Sequence, residues 1–186
     1  SYLGHDPELF NDSVRNNVLL GDDYDVFEYL RAVCMDKEVE AMEQGADTII
    51  GSEGIRLSGG QAQRIALART LCHKKLVLVL DDPFSALDRN TEEQIYKKLK
   101  DMASDNIVIL ISHRLYMFPK MDKVIWMDAG KANVGTHKEL MLECPGYRKM
   151  YETVSVEECR AVETENEGLA AAKVVENSRR VVDKHE

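Results

Sequence analysis

The stretch LSGGQAQRIALARTLCHKKLVLVLDD, residues 57–82, decides how the rest of the chain is read. Its first half is a helix with a polar, amide-rich start. Ser58 is a good N-cap, and Gly59 and Gly60 leave backbone N–H groups uncovered where the helix dipole favours an anion. Ile65, Leu67, Ala68 and Leu71 then recur at helical spacing and supply a buried side. Its second half, KKLVLVLDD, is an apolar run of strand length that stops at two carboxylates, Asp81 and Asp82. Yet the chain contains no G-x-x-x-x-G-K-[ST], the glycine-rich loop that commonly cradles phosphates. A helix start suited to a phosphate thus stands in a chain without the usual cradle.

Working outward, residues 106–113 (NIVILISH) predict a second apolar strand, closed by His113. Between the two strands, TEEQIYKKLKDMA (91–103) is an amphipathic helix, with Thr91 and Gln94 spaced as a capping box. KVIWMDAGKANVG (123–135) predicts a hairpin about Ala129-Gly130, and Thr136 and Glu139 open another helix with box spacing. Towards the N-terminus, residues 1–10 form a strand end running into a turn at Pro7. SVRNNVLL, YDVFEYLRAVC and KEVEAMEQ, within 11–50, are helical in pattern, with breaks at Gly21 and Gly45. Short apolar strands alternating with helices predict an α/β fold with a parallel sheet covered on both faces. Ligands of such sheets bind at the carboxyl ends of the strands, where Asp81, Asp82 and His113 all lie.

Bulk properties narrow the classes. A length of 186 residues suffices for one compact domain, and a formal charge of −9 argues against the basic footprint of nucleic-acid binding. The cysteines Cys34, Cys72, Cys144 and Cys159 form no C-x-x-C pair and fit reduced thiols. The longest apolar runs, 76–80 and 107–111, are far too short to cross a bilayer. From about residue 153 the chain turns acidic and weakly periodic, which predicts a helical or disordered appendage.

A carboxylate at the end of a buried apolar strand is suited to holding Mg²⁺ through water, and a second one beside it to orienting an attacking water. The alternative reading of the same pair is a cap for the turn into Pro83 and the helix beyond it. His113 is suited to a phosphate hydrogen bond or to a structural role, and SALD (85–88) reads equally as a polar turn starting a helix.

LSGGQ, a helix, a strand ending in DD, SALD, a helix and a strand ending in His, in that order, resemble the nucleotide-binding (ATPase) domain of ABC transporters of the exporter type. The resemblance covers roughly residues 1–152. It implies the C-terminal part of a RecA-like P-loop ATPase core, a parallel sheet flanked by helices with an inserted helical subdomain. The implied division is 1–10 for the Q-loop segment, 11–60 for the helical subdomain with the signature motif, 61–152 for the core and 153–186 for the tail. Leu57, Ser58, Gly59, Gly60 and Gln61 match the signature motif. Leu76–Asp81 match Walker B with Asp81 on the Mg²⁺ side, and Asp82 takes the place of the catalytic glutamate. Ser85–Asp88 match the D-loop and His113 the switch histidine, while YLGHDPELFNDSVRNNV (2–18) resembles the Q-loop region with His5 where glutamine is expected. GTHKELM (135–141) and YRKMYE (147–152) resemble the end of the domain in exporters whose membrane helices precede the ATPase.

Implied cofactors are ATP and Mg²⁺. Implied partners are a second nucleotide-binding domain, facing this one head to tail as a homodimer or, better, a heterodimer, and a transmembrane domain, at the cytoplasmic face of a membrane. The Walker A loop and membrane helices are expected upstream of Ser1, and the chain alone is expected to be inactive. Asp82 is shorter than glutamate by about one C–C bond, ~1.5 Å. A misplacement near 1 Å costs roughly 10²-fold in rate, so the site built on it is expected to be the weak one of a pair. Ser52 and Glu53 carry no assigned role. A truncated module docking on an intact ATPase domain, without chemistry of its own, is the competing expectation. A chromosome-maintenance ATPase is disfavoured because the chain has no coiled coil and no basic face.

Overall fold

In the computed structural model, which describes residues 1–52 and 54–154, the chain opens on a strand of two residues, β1 (Tyr2–Leu3), ended by Gly4 and the bend towards Pro7. A second short strand, β2 (Asp12–Ser13), delivers Ser13, whose hydroxyl accepts from the Asn16 N–H and starts α1 (Val14–Leu19). Leu20 (φ 52°) and Gly21 (φ 92°) end this helix in left-handed backbone, the break expected at Gly21. Asp25 caps α2 (Val26–Ala32), and α3 (Asp36–Glu40) leads through a short 3₁₀ turn at Gly45 into β3 (Ile49–Ile50). β2 and β3 pair antiparallel.

Ser58 begins α4 (Gly59–Cys72) with a complete capping box. Its hydroxyl accepts from the Gln61 amide, and the Gln61 side chain accepts from the Ser58 N–H. Ile65, Ala66, Leu67, Ala68 and Leu71 are buried, and α4 packs against α1, α2 and β1. The expected boundary at 60/61 falls in the first turn of this helix.

The strand KKLVLVLDD predicts is β4 (Val77–Asp81). It lies between β1 and β5 (Ile107–Ile111) in a parallel sheet ordered β1-β4-β5, with Leu3 opposite Leu80 and Asp81 opposite Ile111. The helix joining β4 to β5, α5 (Arg89–Met102), departs from the sequence expectation. Its N-cap is Asp88, not Thr91, because the Asp88 carboxylate accepts from both the backbone N–H and the hydroxyl of Thr91. A charged acceptor three residues before Thr91 outcompetes the Thr91–Gln94 box and adds most of a turn. Two further expectations are corrected. The second apolar strand stops at Ile111, so His113 lies two residues beyond it. β5 is also not covered on both faces: Ile107, Val108, Ile109 and Ile111 remain 37–57% exposed.

Residues 1–113 form one compact unit, and a second begins at Arg114. In the second, β6 (Val124–Asp128) and β7 (Lys131–Gly135) form the expected hairpin. Ala129 (φ 45°) and Gly130 (φ 77°) both adopt the positive φ of a type I′ turn. Thr136 and Glu139 form the expected box at the start of α6 (His137–Glu143). Val124, Leu140 and the fully buried Tyr147 make the core of this unit, packed with Phe118, Trp126 and Tyr151. Residues 145–154 are helical, and the rest of the acidic tail lies outside the described residues. Cys34, Cys72 and Cys144 are free thiols. No helix among the described residues is long and apolar enough to cross a membrane.

Candidate functional site

Parallel strands bring their C-terminal ends to one edge, and here that edge carries the carboxylates. Asp81 is the last residue of β4, and Asp82 follows with its N–H donated to the Ile111 carbonyl at 2.8 Å. Asp82 adopts left-handed backbone (φ 49°) while 93% buried, and aspartate is among the few non-glycine types that tolerate this conformation. Such a backbone at a strand end is held only by its surroundings. Gln63, a buried side chain of α4, holds it: its amide donates to the Asp82 carbonyl at 2.8 Å, and its carbonyl oxygen accepts from the Ser85 hydroxyl and the Ala86 N–H. A single buried glutamine thus fastens the loop 82–88 to the helix.

The loop after β1 approaches the same edge. Tyr2 donates its hydroxyl to Asp81 Oδ2 at 3.3 Å, and His5 Nδ1 lies 3.8 Å from Asp82 Oδ2. Arg69, from α4, secures the far end of this loop. Its guanidinium donates to the Asn17 carbonyl (2.6 Å), the Glu8 carbonyl (3.0 Å) and Asn17 Oδ1 (2.9 Å), and stacks 4.9 Å over the Phe10 ring. Burial pushes its pKa down from the ordinary arginine value. A cavity of about 390 Å³ lies between this loop and α4.

The N-terminus of α4 stays open. Ser58 and Gly59 are exposed, and nothing approaches the position a Gly59 side chain would take. Gly60 is required for packing, since a methyl group there would come within 2.7 Å of the Ala86 carbonyl oxygen. Leu57 is half-buried. The Gln61 side chain is engaged twice, in the capping box and by donating to Glu38 at 2.8 Å. Glu38 also pairs with Arg64 at 2.7 Å. Burial works to raise the Glu38 carboxyl, but the hydrogen bonds from Arg64 and Gln61 outweigh it and hold it below the usual carboxylate value.

Of the remaining candidates, Asp88 is the exposed N-cap of α5, and His113 is exposed two residues past β5. The fold therefore brings His5, Asp81 and Asp82 together and leaves the signature turn facing solvent. Tyr2, Glu38, Gln63 and Arg69 were not singled out in the sequence. Gln63 and Arg69 carried a usable signal, being polar residues inside a helix otherwise buried on most sides.

Residues 1–85 match the family model described as ABC transporter. This chain belongs to the ABC transporter family. It is 33% identical over 155 residues to a putative export ATP-binding/permease protein of Rickettsia typhi, covering 81% of this chain and 27% of that protein. It is 38% identical over 149 residues to the ATP-dependent lipid A-core flippase of Alcanivorax borkumensis, covering 77% of this chain and 26% of that one. A solved bacterial Atm1-family ABC exporter with ATP bound superposes with a TM-score of 0.76 at 31% identity, over 83% of this chain and 28% of the exporter. The chain thus spans about a quarter of the length of these ABC relatives. The parallel sheet with flanking helices is part of an ABC exporter ATPase fold.

Proposed function

We propose that this chain forms part of the ATP-binding domain of an ABC exporter, in which ATP binds and is hydrolysed where two such domains meet head to tail. The observation that carries this is the pairing of an open, amide-rich helix start at Ser58–Gly60 with a carboxylate edge at Asp81 and Asp82. Helix-start amides turned to solvent, rather than into their own domain, suit a triphosphate reached across a domain boundary.

In this assignment the Ser58 hydroxyl and the Gly59 and Gly60 amides meet the γ-phosphate held by the opposing domain, with Leu57 and Gln61 shaping the turn. Asp81 is the metal-side residue: a half-exposed carboxylate fits the hard, oxygen-preferring Mg²⁺, which typically takes only one or two protein carboxylates beside its phosphates. When bound, Mg²⁺ supplies neutralisation of charge on the phosphate oxygens. Asp82 accepts a hydrogen bond from the attacking water and orients it. His113 donates to the γ-phosphate, and His5 and Asp88 border the nucleotide. A transmembrane domain of the same transporter, at the cytoplasmic face of its membrane, receives the resulting motion. Asp82 in place of glutamate makes this the slower site of a heterodimeric pair, while the intact signature turn serves the faster one.

The test is ATP turnover by the assembled transporter. Asp82→Glu is expected to raise hydrolysis at this site by about 10- to 100-fold, whereas purified residues 1–186 alone turn over none. Unchanged turnover on Asp82→Glu would remove the weak-site assignment.

A further inference from the structure

Two departures from the exporter pattern meet in space. His5 stands where glutamine is expected and Asp82 where glutamate is, and His5 Nδ1 lies 3.8 Å from Asp82 Oδ2. The sequence does not connect them. They become neighbours because β1 runs parallel beside β4, with Leu3 opposite Leu80, so that the residues following each strand emerge at one edge.

The chemistry of the two groups is complementary. An imidazole nitrogen that carries a proton is a donor, and an ionised carboxylate offers only acceptors. The Asp82 side chain is 11% exposed and the His5 side chain 57% exposed, so the carboxylate is largely enclosed while the ring beside it meets solvent. The Asp82 backbone is already held by Gln63 and Ile111, but those contacts reach its carbonyl and N–H and leave the carboxylate orientation to other partners. Relative to glutamate, aspartate withdraws the carboxylate by about 1.5 Å, and geometry errors of that order cost large factors in rate. Loss of reach makes orientation more critical.

We infer that His5 is a positioning residue for Asp82, its Nδ1–H holding the carboxylate in the orientation that binds the attacking water. This deepens the function proposed above and rests on it. A loosely spaced pair at 3.8 Å closes to hydrogen-bond distance once the site is filled, as catalytic hydrogen bonds commonly do. The competing role is direct contact of the ring with the nucleotide or its metal. The two roles use different ring nitrogens. An asparagine places its amide nitrogen where histidine has Nδ1, and a glutamine places its own where histidine has Nε2.

The experiment measures kcat and KM for Mg-ATP in the assembled transporter for His5→Asn, His5→Gln and His5→Ala, each with Asp82 and with Asp82→Glu. With Asp82 present, His5→Asn is expected to keep kcat within about twofold, while His5→Gln and His5→Ala lower it about tenfold at unchanged KM. In the Asp82→Glu background the His5→Gln loss is expected to disappear, a non-additivity that reports direct coupling. The inference is overturned if His5→Gln retains kcat while His5→Asn loses it, if KM rises in all three variants, or if the losses are the same in both backgrounds. Asp82→Asn separates the two levels: if it leaves hydrolysis intact, the site assignment fails and the inference with it, whereas a large loss there combined with any overturning result at His5 removes the inference alone.

Discussion

Val77–Asp81 and Ile107–Ile111 are neighbouring strands of one sheet, five residues each, paired in parallel and in register. Both are apolar almost throughout. On the face of Leu78 and Leu80, both fully buried, their register partners Val108 and Leu110 are 37% exposed and half-buried, respectively, and on the opposite face Ile107 is 57% exposed against 39% for Val77. The difference lies in what surrounds them. β4 is hydrogen-bonded on both edges, by β1 and β5, whereas among the described residues β5 pairs only with β4. An apolar run states that a strand is able to be buried on both faces, and its neighbours determine whether it is. The site follows the same division: Asp81 and Asp82 are held by backbone and side-chain hydrogen bonds at the end of β4, and His113, beyond β5, is exposed.

The largest expected effects lie in the side chains of these two strands. Leu80→Ala is expected to destabilise the chain by about 2–5 kcal/mol, the cost of a cavity at a fully buried site. Ile109→Ala is expected to cost less than about 1 kcal/mol, in the range of partly exposed positions. Urea unfolding monitored by circular dichroism measures both, and equal losses would mean that the Ile109 side chain is as well covered as that of Leu80. A smaller effect sharpens the account of α4, which packs beside β1 and precedes β4. Ser58→Ala removes one arm of its capping box and is expected to cost about 1 kcal/mol in the same assay.

The smallest effect concerns the connection between the two strands. The hydrogen bonds from Thr91 hold the Asp88 carboxyl below its usual value. A depressed carboxylate contributes stability above its unfolded-state pKa and loses it as pH falls through the native value. Wild type is therefore expected to exceed Asp88→Asn in stability near neutrality and to converge with it at acid pH. Amide hydrogen exchange of α5 across that range measures the difference, and a constant gap would show that the charge of Asp88 contributes nothing.

Much of the molecule was legible because its signals are local. The Ala129-Gly130 turn, the Thr136–Glu139 box and the Ser58 cap are each set within a few residues, and all three form as read. The start of α5 was misread because two local signals, Asp88 and the Thr91–Gln94 spacing, overlap there, and the charged acceptor prevails. Glu38, Gln63 and Arg69 escaped because their partners lie far away in sequence.

The sequence by itself determined the order of the main helices and of the apolar strands, the family, and the residue types at the candidate site: an uncovered helix start and two carboxylates ending an apolar strand. Periodicity, caps and turn chemistry are properties of short segments and need no tertiary context. Only the tertiary structure decided which apolar strand is covered and that His5 faces Asp82. Both depend on which edges pair, and strand pairing joins residues that no local pattern relates.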